Sequence, residues 1–137
     1  MKNNLWCSLT VLAVVSCVAV GGGCISIPAE APLVQGTSPA DLETGVDPNL
    51  TEISVTYNQD MRAGNYSWVK TGIDPFPELL GQPRFLDDRT CVVQVELKPD
   101  THYVIWLNNE EFNNFKNRQG VPAHPYKLEF TTGPQQP

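Results

Sequence analysis

Between Cys91 and Leu107 the sequence CVVQVELKPDTHYVIWL holds two alternating runs with a break between them. In the first, Cys91, Val93, Val95 and Leu97 alternate with Val92, Gln94, Glu96 and Lys98, the two-residue period of a strand with one wet face. Pro99-Asp100 ends that run. In the second, Tyr103, Ile105 and Leu107 take one face and Val104 and Trp106 the other. Two strands joined by a short corner follow from this pattern, and the Leu97, Pro99, Thr101, Tyr103 spacing resembles the tyrosine corner of Greek-key sandwiches. Tyr103 is therefore the expected structural corner, its ring buried and its hydroxyl returned to a backbone acceptor just upstream. Val104 and Trp106 are expected to point away from the core.

The rest of the chain supplies further strands and many breaks. Ile53, Val55 and Tyr57 alternate with Glu52, Ser54 and Thr56, and Tyr126, Leu128 and Phe130 alternate with Lys127, Glu129 and Thr131, so each segment predicts a half-buried strand. Shorter strands are expected at Leu33 to Gly36 and Asn65 to Val69. Ser38 to Pro48 reads as turns, Met61 as a plug at the end of the core, and Gly72 to Arg84 as an irregular edge or sheet-switching segment. Phe112 and Phe115 have the spacing of one helical turn within Phe112 to Arg118, closed by Gly120. Twelve Pro and ten Gly argue against long helices. The chain has 137 residues, and once an N-terminal segment is set aside, what remains is one domain of about 100 residues. The fold class expected is all-β, an Ig-like β-sandwich of about seven strands with Greek-key topology.

Residues 1–24 have the makings of an export signal: Lys2 near the start, then an apolar run from Leu5 to Val20 broken only by Ser8, Thr10 and Ser16. The run is too short and too poorly flanked to favour a membrane-spanning helix. Three of the four cysteines, Cys7, Cys17 and Cys24, lie here. Val14-Val15-Ser16-Cys17 matches a bacterial lipobox in its residues. Gly21-Gly22-Gly23-Cys24 matches it less well but sits where hydrophobicity ends, so lipidation is expected at Cys24 or Cys17, and an ordinary cleaved signal is the alternative. Residues 25–32, ISIPAEAP, have no period and two Pro and read as an extended tether. The globular domain is then 33–133, with a tail at 134–137. Contact with a membrane is expected through the N-terminal lipid only.

Lys plus Arg number 9 against 15 Asp plus Glu, a net charge of −6, which argues against a nucleic-acid partner. Chemistry-bearing motifs are missing from the pattern as well. His102 and His124 have no second ligand at metal spacing, Asp87-Asp88 lacks the spacing of a calcium loop and reads as a turn, and nothing resembles a nucleophile elbow or a phosphate loop. No catalytic residue, metal or cofactor is expected. Cys91, on the buried face of its strand, reads as a small hydrophobe rather than a nucleophile.

Ser38 to Met61 (SPADLETGVDPNLTEISVTYNQDM), Leu97 to Leu107 (LKPDTHYVIWL) and Gly120 to Thr132 (GVPAHPYKLEFTT) together resemble the bacterial Ig-like domain of the S-layer (SbsA) type. The resemblance spans Val34 to Thr132 and departs from the common pattern between Asn65 and Asp88, which is longer and rich in Pro and aromatic residues. It implies a non-enzymatic structural or interaction module of the cell envelope, with an envelope protein or glycan as partner. The alternative is a carbohydrate- or small-ligand-binding domain in which Tyr66, Trp68 and Trp106 form an exposed aromatic cluster. Against that cluster stands a cover of Phe112, Phe115 or the Ile73 to Pro83 loop, which would make the same rings a satellite core.

Overall fold

A computed structural model describes residues 16–20, 23–27 and 29–137. The chain divides into two compact units, Met1–Glu30 and Ala31–Pro137. In the first, β1 (Ser16–Val20) pairs antiparallel with β2 (Gly23–Ile27). The export segment expected over residues 1–24 falls largely on residues outside those described.

The second unit is a β-sandwich, and no helix occurs among the described residues. Its strands are β3 (Val34–Ser38), β4 (Glu43–Val46), β5 (Glu52–Tyr57), β6 (Trp68–Val69), β7 (Glu78–Leu79), β8 (Arg84–Phe85), β9 (Thr90–Glu96), β10 (His102–Leu107) and β11 (Tyr126–Thr132). One sheet has the order β3-β5-β9-β7, with β8 also paired to β9, and the other the order β4-β11-β10-β6. The inner faces follow the alternation of each strand. Ile53 and Val55 sit opposite Val93 and Cys91 in the first sheet, and Tyr103 and Ile105 sit opposite Phe130 and Leu128 in the second, all of them buried. The Tyr103 and Phe130 rings lie 5.5 Å apart. Burial of these side chains is the main driving force for closing the two sheets on each other.

The link from β9 to β10 carries the chain from one sheet to the other. Tyr103 is buried, and its hydroxyl accepts the Lys98 N–H at 2.8 Å. The expectation was for the hydroxyl to find an acceptor; here it takes the donor that the corner leaves over. Thr132 at the end of β11 completes the corner, donating its hydroxyl to the Lys98 carbonyl (2.6 Å) and accepting the Thr101 N–H (2.9 Å).

Three local expectations are corrected. Glu43–Val46, expected as turn, is β4, which runs parallel to β11; four residues with a single buried apolar side chain, Val46, carry no alternation to read. The outer faces of β9 and β10 are not simply wet. Val92 is buried beside Arg84, its partner on β8, which reaches across β9 to Glu52 on β5 at 3.0 Å. Val104 is buried too, and its N–H donates to the Pro75 carbonyl (3.0 Å), so the Pro-rich segment runs along β10 before β7 joins the other sheet.

The third correction concerns residues 112–118, which form no helical turn. Asn108, fully buried, donates from Nδ2 to the carbonyls of Phe115 and Ala123 and accepts the Phe115 N–H on Oδ1, each at 3.0 Å. Lys116 then bridges to Pro122, and Asn117 to Met61, around a turn in which the Gly120 N–H donates to the Asn117 carbonyl. Gly120 has φ +87°, a left-handed conformation open to Gly at little cost. The local backbone groups a helix would use are thus committed to Asn108 and to this hairpin. Phe115 becomes a plug in the core, its ring 5.3 Å from Tyr57, 5.9 Å from Trp68 and 6.4 Å from Phe85.

Candidate functional site

In an antiparallel ladder, directly opposed residues share a face and adjacent ones take opposite faces. Trp68 is opposite Leu107 and Trp106 is opposite Val69, so the two indoles lie on opposite faces of the sheet. Trp68 turns inward against Phe115. Tyr66 packs partly buried against the core and shares with Trp68 a recess also lined by Lys70, Phe112 and Asn114. The three aromatic residues expected as one exposed cluster are therefore split: Tyr66 and Trp68 are brought together, and Trp106 stands apart.

Trp106 occupies the outer face of β10 and helps line an open cleft of about 670 Å³, together with Thr71, Asn109, Glu110, Glu111 and Pro125. The rim is shaped by one turn. Asn108 leaves β10 with φ +71°, and the Asn109 side chain then accepts the N–H groups of Glu111 (3.0 Å) and Phe112 (2.6 Å) on Oδ1. Asn109 also donates its own N–H to the Phe112 carbonyl at 2.8 Å. This tight Asx turn sets Glu110 and Glu111 side by side, both exposed. Thr71 follows β6 and Pro125 precedes β11, so the cleft has walls from both strands that flank β10.

The field around the cleft is acidic. Lys127 is the cross-strand neighbour of Trp106, and its ammonium is held by Glu129 at 2.8 Å. That bond raises the Lys127 pKa and lowers that of Glu129, with Asp74 and Asp41 adding to the pull on Lys127. A half-buried indole flanked by carboxylates is suited to holding a ligand by stacking and by charge. Thr71, Asn109, Glu110, Glu111 and Pro125 were not singled out from the sequence. The signal available was adjacency: an acidic doublet beginning four residues after an outward-facing Trp.

The remaining candidates are placed as follows. Cys17 and Cys24 lie in β1 and β2, opposite Ser26 and Ala19. His102 is exposed, with Nδ1 2.8 Å from the Thr131 hydroxyl and Nε2 3.7 Å from Glu129, and His124 is exposed with its backbone bonded to Pro32. Asp87 caps its turn by accepting the N–H groups of Arg89 and Thr90, which lowers its pKa. Asp88 pairs with Arg118 at 2.6 Å. Cys91 is a fully buried free thiol whose pKa burial pushes up to about 12, with the nearby Trp68 indole opposing that shift.

No family model matches the chain, and no curated protein matches it. Among solved structures, the crystal structure of the S-layer protein rSbsC(31-844) is similar at 17% identity with a TM-score of 0.47, over 76% of this chain. The likeness is distant, and this chain spans 14% of the length of that one.

Proposed function

We propose that this chain is a non-enzymatic Ig-like module, exported to the cell envelope and anchored there through its N-terminus, that works by contact with an envelope protein or glycan. One observation carries the proposal. Ser67, Asn108, Asn117 and Thr132 are buried in the sandwich and each is bonded to backbone of a loop or corner, while the two buried polar atoms without a hydrogen bond, the Tyr57 hydroxyl and the Trp68 indole N–H, are enclosed in it. Catalysis by a buried polar group needs that group free to meet a substrate. Here those four side chains hold the frame, and the acidic, aromatic cleft lies on the outside, as a contact surface does. The sequence resemblance to bacterial Ig-like domains points the same way.

The test is fractionation of bacterial cells making the full chain and fed labelled palmitate. The expected result is labelled protein in the envelope fraction, with the label lost in either Cys17→Ala or Cys24→Ala. Unlabelled protein in the cytosol with its N-terminus intact would refute export and anchoring together.

A further inference from the structure

We infer that the Trp106 cleft is a docking surface for an arginine side chain of a partner polypeptide. The inference rests on the chain being a contact module and names the surface through which contact is made. Trp106 lines the cleft and supplies an indole, and Glu110 and Glu111, which line it too, supply two carboxylates. Neither carboxylate is committed to an ion pair within the sandwich. No basic residue lines the cleft, and Lys127, the cation nearest in the ladder, is drawn back to Glu129. A site with a π face, two unpaired carboxylates and no internal cation is complementary to a planar cation, and a guanidinium satisfies both parts at once by stacking on the ring and donating in parallel to a carboxylate.

The surroundings favour a polypeptide over a free small cation. Ile73, 99% exposed, stands two residues beyond Thr71, and Phe112, 48% exposed, directly follows Glu111. Two large apolar side chains left in water on the loops that border a charged cleft give a partner chain hydrophobic footing beside its arginine. A neutral sugar would stack on the indole and donate hydroxyls to the carboxylates, but it would leave the negative charge of the two carboxylates uncompensated.

The experiment is an NMR titration of the full chain, ¹⁵N-labelled, with an acetylated and amidated Gly-Arg-Gly peptide, read at the Trp106 indole N–H and the Asn109 to Glu111 amides. The same peptide with citrulline for arginine keeps the shape and loses the charge. Binding is expected to weaken roughly tenfold with citrulline, roughly fivefold in a Glu110→Gln/Glu111→Gln variant, and strongly as salt rises. Both glutamates are exposed, so this variant keeps the fold. Equal binding of the citrulline peptide, no effect of the double variant, or shifts produced by a neutral disaccharide and not by the arginine peptide would each overturn the inference. The titration does not depend on where the protein resides, so its failure would leave the export result standing, and failure of export would leave the cleft.

Discussion

Replacing Asn108 tests how the rim of the cleft is held. Its amide makes three hydrogen bonds to backbone, and it is fully buried. In Asn108→Ala the Phe115 N–H and the Ala123 carbonyl lose their partner, whereas the Phe115 carbonyl keeps the Ala123 N–H at 2.8 Å. Each orphaned buried group costs about 1–3 kcal/mol, so the pair costs about 2–6 kcal/mol. The left-handed backbone at φ +71° adds about 1 kcal/mol for Ala, which Gly avoids. Asn108→Ala should therefore lose about 3–7 kcal/mol, against a typical total of 5–15 kcal/mol for a folded domain. Asn108→Gly should be about 1 kcal/mol less damaging. Asn108→Asp should be worse than either at neutral pH, because a carboxylate would replace the two donated bonds and face two carbonyl oxygens. Its new carboxyl would titrate above the ordinary value, so the stability of the protonated form is fully present below about pH 4 and is lost as pH rises from there through the raised folded value. Urea melts give the order directly, and with a slope of about 1.5 kcal/mol/M the Ala midpoint should fall by about 2 M or more. A loss below about 1 kcal/mol for Asn108→Ala, or an Ala variant more stable than Gly, would show that the amide does not organise this loop.

Three further perturbations test the frame. Tyr103→Phe leaves the Lys98 N–H at the corner without its acceptor and should cost about 1–2 kcal/mol in a urea melt. Val104→Thr puts a hydroxyl under the Pro75 segment on a buried position and should cost about 1–3 kcal/mol; a neutral result would mean that the outer face of β10 is wet. Cys91 should not react with a thiol reagent until residues 31–137 are unfolded by urea. Its folded pKa lies above the unfolded value of 9.0, so the stability it contributes is intact below pH 9 and declines between pH 9 and about 12. Tyr57, whose pKa burial also raises, adds to the decline, and Cys91→Val should make thermal melts less sensitive to base over that window.

What could be read from the sequence and what could not divide along a physical line. A strand with one face buried announces itself by alternation, and β5, β9, β10 and β11 are strands of that kind. The corner was legible because the Tyr103 spacing pairs a ring with a leftover backbone donor a few residues upstream. β7 and β8 have two residues each and no period to detect, and β6 keeps only Trp68–Val69 of the strand expected over Asn65 to Val69; each pairs with just two residues of β9 or β10. The Phe112 and Phe115 spacing pointed to helix because apolar residues three apart are ambiguous by periodicity alone. The competing signal was Asn108, a residue able to turn left-handed and to bond backbone on both sides of a loop, and its bonding reach is visible only when the contacts across 7 and 15 residues are known.

The candidate site was half legible for a related reason. Trp106 could be placed outward from the alternation of β10, and Trp68 could not be placed without the register. Moving the pairing of β6 by one residue would put Trp68 opposite Trp106 on the outer face and Val69 on the core face, so that both indoles would lie outside. What sets that register is the interior: Trp68 stacks edge-on to Phe115, and Phe115 is fixed by the amide of Asn108. The same Asn108 begins the turn that presents Glu110 and Glu111 beside Trp106. One buried side chain therefore sends Trp68 into the core and gives Trp106 its acidic rim, so a stability loss in Asn108→Gly should be accompanied by weaker arginine-peptide binding even though Asn108 lines no part of the cleft.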